Sequence, residues 1–375
     1  YAAGMALAAA VATDAAQTGW PPIEAQALFW LGQLQARTGQ AATSEVTLER
    51  AMKRAAEARD DALFLRAGAK RVHVLGYQLG RSDDALKLAA VLDPLVIRAG
   101  EDPETRADLL NRVGLVLWTK GDYAAAQDSF EEALPLLIKA LGPDQTPVAS
   151  AEANLGAVLS AQGRYQDARP HLVEALQILE RALGAAHPTV AEARGNLGNL
   201  LMHQGEHAEA QRQLEAALAA SEAAYGPDHE TVALRLDNLG ELHDELGAHA
   251  RALPYCQRAL AIGTAKLPPD HVIQSYYLLC VSDALLGLGR AAEALPSLER
   301  ALVICERGTG DPVDLANVQL ALARALWDSK GDRARAHDLA TAARATYAAA
   351  GDRERKQLAS ADAWLGSHAG GGPRR

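Results

Sequence analysis

Small and apolar residues recur along this chain at the spacing of a helix face, and short polar breaks separate the runs. The run from Ala168 to Leu179 places four apolar side chains on one face, namely Leu172, Ala175, Leu176 and Leu179. The preceding run, residues 154–159, reads Asn-Leu-Gly-Ala-Val-Leu, and Gly163 stands between the two runs. Glycine supplies the backbone angles that let a chain reverse within two or three residues. The pattern therefore predicts two antiparallel helices joined by a tight turn.

This hairpin pattern repeats along the chain at a fixed period. The turn glycine recurs as Gly121, Gly163, Gly205, Gly247, Gly289 and Gly331. Two alanines recur in the following helix, as Ala126, Ala168, Ala210, Ala252, Ala294 and Ala336, and as Ala133, Ala175, Ala217, Ala259, Ala301 and Ala343. Such small residues allow paired helices to approach closely. A hairpin that cannot bury its apolar stripe alone must stack on its neighbours, so the chain is expected to be one long array.

These residues resemble the tetratricopeptide repeat, whose signature positions are filled here by Leu155, Gly156, Leu159, Tyr165, Ala168, Leu172 and Ala175. A second connection adds eight residues to the 34 that are usual in that family. It lies at residues 141–144, 183–188, 225–229 and 267–271. With the Asn-Leu-Gly at 154, 196 and 238, it is similar to the 42-residue subtype of kinesin light chains and many bacterial proteins. The resemblance implies an all-α fold, a right-handed solenoid of stacked antiparallel helical hairpins.

The repeat register divides the chain into five predicted parts. Residues 1–18 are expected to be the second helix of a truncated repeat, and residues 25–100 to hold two degenerate repeats. Six regular repeats follow at 107–350, then a C-terminal capping helix at 351–366 and a flexible tail at 367–375. In the capping helix we expect three inward residues, Leu358, Ala361 and Leu365, and three outward ones, Arg353, Arg355 and Lys356.

Charge and cysteine content narrow the classes of partner. The net charge is −10, so a phosphate backbone is repelled on average and nucleic acid is not an expected partner. The three cysteines leave at least one thiol free, which favours a reducing compartment such as the cytoplasm. Cys256 is expected to be a small core residue. No run of 18 apolar residues occurs, so no membrane partner is expected.

Sequence motifs of catalysis, cofactor binding and metal binding are missing from the chain. The stretch from Gly287 to Ala292 imitates a dinucleotide turn, but its Gly289 already joins two helices. His187, His229 and His271 recur once in each repeat, so we interpret them as residues that cap or brace their connections rather than as ligands of one ion. We therefore expect no enzyme activity, no cofactor and no metal.

Candidate binding residues lie on the first helix of each repeat, which solenoid curvature turns toward a concave groove. Asn154, Asn196 and Asn238 occupy the same position of three successive repeats, although asparagine is a poor helix former. Their amides either bind the backbone of an extended peptide, as in peptide-binding members of the family, or brace the neighbouring hairpin. The other groove candidates are Arg112, Trp118, Arg194, Asn199, His203, Glu241, Asp244 and Glu245.

The sequence thus predicts a protein-interaction scaffold that binds a peptide or a partner segment, with homotypic assembly as the alternative. The groove candidates change from arginine at 112 and 194 to carboxylates at 241–245, which predicts a ligand that is acidic at one end and basic at the other. The start at Tyr1 predicts part of a longer polypeptide. The Ala-, Arg- and Leu-rich style resembles the tetratricopeptide tails of bacterial serine/threonine kinases, which implies a sensing or recruiting region of a signalling protein.

Overall fold

The computed structural model describes residues 2–98, 102–307 and 311–368, with the side chains of all but Ala2, Ala3 and Asp352. These residues form eighteen α-helices and no strand, so the predicted all-α fold is confirmed. The part of the predicted tail from residue 369 onward lies outside the described residues. None of the described helices is both long enough and apolar enough to cross a bilayer.

The helices divide between two compact units, the first ending at Val158 and the second beginning at Leu159. The helices that begin in the first unit are α1 (Ala2–Gln17), α2 (Pro21–Arg37), α3 (Ala41–Glu57), α4 (Asp61–His73) with a π-helical turn at Val74–Gln78, α5 (Ser82–Arg98), α6 (Pro103–Thr119), α7 (Tyr123–Leu141) and α8 (Thr146–Ala161). Those of the second unit are α9 (Tyr165–Leu183), α10 (Pro188–His203), α11 (His207–Tyr225), α12 (Glu230–Glu245), α13 (His249–Lys266), α14 (Ile273–Gly287), α15 (Ala291–Arg307), α16 (Pro312–Asp328), α17 (Arg333–Ala350), a 3₁₀ turn at Gly351–Glu354, and α18 (Arg355–Ser367). The predicted division into repeats stays a prediction.

The turn within each repeat depends on one residue with a left-handed backbone. In five repeats it is the predicted glycine, Gly121, Gly163, Gly205, Gly247 and Gly289, with φ between 71° and 78°. The prediction is wrong for Gly331, because Lys330 adopts the left-handed angle instead, with φ of 60°. The turn between α16 and α17 is one residue longer than the other turns, and its Asp332 caps α17 by accepting from the Arg335 backbone N–H at 3.0 Å.

The second connection is closed by the recurring histidines. Nδ1 of His187 and Nδ1 of His229 each accept a hydrogen bond at 3.2 Å from the backbone N–H two residues further on. Nδ1 of His271 accepts one from Ile273 at 3.3 Å. These bonds satisfy N–H groups that the first turn of a helix leaves without a partner. The interpretation of the three histidines as caps is confirmed.

The repeated alanines lie at helix crossings and are fully buried, including Ala168 and Ala210. We expect Ala168→Leu and Ala210→Leu each to lower the free energy of unfolding by about 1–3 kcal/mol, because added methylenes overpack a close helix crossing. Chemical denaturation followed by circular dichroism measures the effect. Ala182→Leu, at an exposed position of α9, is the matched control. Unchanged denaturation midpoints in both buried variants would contradict the assigned repeat register.

Two of the cysteines form a disulfide, which the sequence did not predict. Sγ of Cys256 in α13 is bonded to Sγ of Cys280 in α14 at 1.97 Å. The expected core position of Cys256 is confirmed, since it is fully buried, but the interpretation of it as a plain small hydrophobe is wrong. Gly240 makes room for the bridge, because a Cβ there would lie 2.5 Å from one sulfur and 2.6 Å from the other. Cys305 is a free, half-buried thiol, and burial raises its pKa.

The C-terminal segment differs in part from the predicted capping helix. Residues 351–354 form a 3₁₀ turn, and α18 follows. Of the predicted inward residues, Ala361 is fully buried, and Leu358 and Leu365 are half-buried against the same core. The outward prediction is wrong for Arg353, which is half-buried and pairs with Asp311.

Candidate functional site

The first unit contains a cavity of about 950 Å³ lined mainly by the first helices of its repeats, α2, α4, α6 and α8. Lys70, Arg112 and Asn154 line it, and they are evenly spaced in the sequence, at one position of three successive repeats. The aromatic residues Phe29 and Trp30 line it too, and Trp30 is 51% exposed. The position that carries asparagine in the repeat of Asn154 therefore carries a cation in the two repeats before it.

The cations of this cavity differ in how they are paired. Arg112 donates two hydrogen bonds to Asp108, at 2.9 and 2.6 Å. Arg66 lies over the ring of Phe29, 5.1 Å from its centroid. Lys70 has no ion-pair partner within the part of the chain that the structure describes. A lysine without a counter-ion beside other cations is a site where an anionic ligand gains from charge neutralisation.

Two pKa values at and near the first cavity are lowered, mainly by burial and further by neighbouring cations. Burial, reinforced by the charge of Arg112, lowers the pKa of Lys70 to about 8. Burial, with the charges of Arg112 and Lys70, lowers the pKa of His73 to about 4. The folded state thus holds Lys70 in an environment that disfavours its charge, and a bound carboxylate would reverse that effect.

The second unit contains a cavity of about 410 Å³ lined by α10, α12, α14, α16 and α18. Its carboxylates come from two adjacent first helices, α12 and α14, and are Glu241, Asp244, Glu245 and Asp283. The carboxylate of Asp244 accepts a hydrogen bond from Nδ1 of His249 at 2.6 Å. Glu241 and Asp283 have no ion-pair partner among residues 159–307 and 311–368.

Crowding of carboxylates shapes the titration of the second cavity. Burial, with smaller contributions from Asp244 and Glu241, raises the pKa of Asp283 to about 7, although Arg324 lowers it. The protein packed around the carboxylate of Glu241 removes much of its water and raises its pKa. The charges of Glu245 and Asp244 raise this pKa further. A cation in this cavity would favour the ionised carboxylates, so the site is suited to a basic group.

The three predicted asparagines are accessible to a ligand. Asn154 is half-buried at the first cavity, Asn238 is half-buried in the second unit, and Asn196 is exposed. None of the three side-chain amides has a hydrogen-bond partner in the described ranges 2–98, 102–307 and 311–368. Asn199 carries a buried Oδ1 that also lacks a partner. Their role in binding stays a prediction.

The remaining candidates separate into two groups. His203, Glu241, Asp244 and Glu245 line the second cavity, and His203 stacks on Tyr165 with ring centroids 5.0 Å apart. Burial lowers the pKa of His203. Trp118 is half-buried and lines neither cavity. Arg194 also lies away from both and donates to Glu180 at 2.5 Å, which braces α10 against α9.

Sequence reasoning missed several residues of both cavities. Lys70 was detectable, because it lies one repeat period before Arg112, and Asp283 lies one repeat period after Glu241. Phe29, Trp30 and Arg66 are not followed by the same residue type one repeat period later, so the pattern did not mark them. Lys356 enters the second cavity from α18, which no repeat register reaches.

Comparison with protein families gives one match, to the tetratricopeptide repeat, over residues 105–181, 147–215 and 189–265. Residues 105–265 contain tetratricopeptide repeats. The resemblance inferred from Leu155, Gly156 and the positions that follow is therefore confirmed. No curated protein sequence matches this tetratricopeptide-repeat chain. Within its described residues, no group of three or more histidine, cysteine or acidic side chains has the arrangement to hold a metal ion.

Solved structures of Rap proteins share the fold of this chain. A Rap protein complexed with Competence and Sporulation Factor has a TM-score of 0.63 at 13% identity, covering 92% of this chain and 99% of its own. The apo form of RapI has a TM-score of 0.56 at 13% identity, covering 92% and 86%. BtubC (BKLC) from P. vanneervenii has a TM-score of 0.48 at 20% identity, covering 62% and 91%. At so low an identity the Rap structures show a common fold and no more.

Proposed function

We propose that this tetratricopeptide-repeat chain binds a peptide or a segment of a partner protein in the grooves of its two units. The observation that carries the proposal is a set of polar side chains without partners on the first helices of both units. Lys70, Asn154 and Asn238 each lack a hydrogen-bonding or ion-pairing side chain in the described part of the chain. Folded proteins satisfy most of their buried polar groups internally, so such a set is typical of a binding surface.

Charge specifies the chemistry of the ligand in each unit separately. The first cavity is lined by an exposed tryptophan and by charged side chains, namely four cations (Arg37, Arg66, Lys70 and Arg112) and three carboxylates (Asp102, Glu104 and Asp108). Its unpaired lysine therefore fits an acidic segment with an apolar side chain. The second cavity offers Glu241 and Asp283, and therefore fits a basic side chain. The Rap protein with this fold was solved in complex with a factor. That precedent supports a binding function for the fold, while the proposal itself rests on the two cavities.

A charge-neutralising substitution at Lys70 tests the proposal. We expect Lys70→Gln to weaken binding of a fluorescently labelled, glutamate-rich peptide about tenfold, because one charge-assisted hydrogen bond is lost. Folding stability should stay the same or rise. The folded-state pKa of Lys70 lies below its unfolded value, so the protonated lysine destabilises the fold at neutral pH. Fluorescence anisotropy measures the affinity, and thermal denaturation measures the stability.

Lys53→Gln is the matched control, since Lys53 is an exposed lysine on α3, a second helix outside the cavity. It should leave the affinity for the peptide unchanged. Equal weakening by both substitutions would indicate only long-range attraction between an anion and the surface. No binding by the parent protein to acidic, basic or neutral peptides would favour homotypic assembly, which sedimentation measures as a mass that rises with concentration.

The kind of partner is proposed from the sequence, and the location of the chain from its cysteines. We propose that the bound segment belongs to a signalling partner that this region recruits, without catalysis by the chain itself. A cytoplasmic location rests on the free thiol of Cys305, whereas the Cys256–Cys280 bridge is typical of an oxidising compartment. The redox state of this pair in protein isolated under thiol-blocking conditions distinguishes the two locations.

A further inference from the structure

The C-terminal segment, residues 351–367, reaches into the groove of the second unit. Lys356 forms an ion pair with Glu245 of α12, a residue 111 positions earlier in the chain. Cα of Arg353 lies 3.3 Å from the point that a Cβ at Gly163 would occupy, and Gly163 precedes α9. A helix that only covered the last hairpin, α16 and α17, would contact neither place. The segment therefore does more than close the end of the array.

Two faces of the segment have different surroundings. Its apolar face, with Ala361, Leu358 and Trp364, packs on the core formed with α16 and α17, and Trp364 meets Trp327 edge to face at 5.7 Å. Its polar face, with Lys356, Gln357 and Ser360, lines the acidic cavity. Apolar packing thus holds the segment in place and leaves its polar face directed at the groove.

The contact between Lys356 and Glu245 is of a kind that a ligand can replace. The side chain of Lys356 is 80% exposed, and that of Glu245 is 29% exposed. Exposed ion pairs contribute little to stability, because water and salt screen them and two long side chains lose freedom. The neighbouring carboxylates of Glu241 and Asp283 have no ion-pair partner within the described chain, so the cavity retains acidic groups for a second cation.

We propose that Lys356 is an internal substitute for a basic side chain of the partner, and that a basic peptide binds the second unit by displacing it from Glu245. This inference rests on the proposed function and adds the class of ligand and its intrachain competitor. A tethered competitor lowers the apparent affinity for a ligand, because the ligand must replace a contact already made. The proposed ligand is an extended peptide that carries lysine or arginine.

Removal of the competitor tests the inference. The probe is a short labelled alanine peptide carrying lysines, with a second peptide in which glutamates replace the lysines. We expect Lys356→Gln to bind the lysine peptide about two- to fivefold more tightly than the parent, which is the range that one exposed ion pair allows. Lys266→Gln removes the same charge at the exposed end of α13 and should bind like the parent. Fluorescence anisotropy at low ionic strength gives both affinities.

A double-mutant cycle separates competition from a change in net charge. Glu245→Gln should weaken binding of the lysine peptide, and Lys356→Gln should have no further effect in that background. The apolar anchors of α18 are unchanged in every variant, so melting temperatures should agree with the parent. A purely structural role for the ion pair would lower the melting temperature of Lys356→Gln without increasing its affinity.

Unchanged or weaker binding of the lysine peptide by Lys356→Gln would overturn the inference, and so would the absence of binding by every variant. The proposed function has a separate readout in the first unit. One outcome separates the two proposals: the glutamate peptide binds in a way that depends on Lys70, while Lys356→Gln does not change the affinity for the lysine peptide. The chain would then bind peptides, and the proposed competition by Lys356 would be wrong. If neither peptide binds the parent or any variant, both the proposed function and this inference are wrong.

Discussion

Replacement of Asn154, Asn196 and Asn238 by alanine in one triple variant is expected to weaken binding of both probe peptides. The glutamate peptide of the first unit loses the amide of Asn154 and should bind about twofold to tenfold more weakly, and the lysine peptide of the second unit loses two amides and should bind about fivefold to a hundredfold more weakly. Each amide is accessible and without a partner in the described structure, so each offers a donor and an acceptor to a ligand backbone. Loss of one hydrogen bond costs about 0.5–1.5 kcal/mol, and the two losses in the second unit add. Anisotropy with each labelled peptide measures the change.

Folding of the triple variant should be unaffected or improved, because alanine is the better helix former. The melting temperature should therefore equal or exceed that of the parent. Gln257→Ala removes an exposed amide from α13, a second helix, and is the control that should leave capture intact. Earlier melting of the triple variant with normal capture would instead show that the asparagines brace neighbouring hairpins.

Removal of the Cys256–Cys280 disulfide is expected to lower the free energy of unfolding of the second unit by about 3 kcal/mol. The bridge closes a loop between residues 24 positions apart, and closing a loop of this size removes conformational entropy from the unfolded chain. The double variant Cys256→Ala and Cys280→Ala should melt about 6–12 °C earlier than the oxidised parent. Scanning calorimetry with and without dithiothreitol measures the same difference in the unmodified protein.

Cys305→Ala is the control for the disulfide, since Cys305 is the free and half-buried cysteine. That variant should keep the full sensitivity of the melting temperature to dithiothreitol. The double variant should lose it. If the parent melts at one temperature in oxidising and reducing buffer, the bridge does not contribute to stability, and the reducing-compartment prediction regains its support.

Much of the fold was predictable because the same helix–helix contacts hold each repeat together. Gly163 ends one helix, Ala168 permits the crossing and Leu172 fills the space behind it, all within a few residues of one another. Interactions this local are recorded in the sequence as a pattern, and repetition at a fixed period makes the pattern visible. The exception in the last repeat, where Lys330 replaces Gly331 at the left-handed position, arises from one additional residue in the turn.

The candidate site was predictable where it follows the same register. Asn154, Arg112 and Glu241 lie at recurring positions of the first helices, and the structure places all three beside a cavity or its lining. Trp118 and Arg194 also lie on first helices but line neither cavity, because the direction of a side chain depends on its neighbours. Register shows which helix face a residue occupies, and packing decides what that face contacts.

The sequence by itself determined the helices, most of their turns, the histidine caps and the recurring polar positions of the first helices, because these depend on contacts between residues close in the chain. Only the tertiary structure decided the disulfide between Cys256 and Cys280 and the ion pair between Lys356 and Glu245. Both contacts join residues that no single repeat contains, so no periodic pattern encodes them. They arise where stacking of successive hairpins brings distant parts of the second unit within bonding distance.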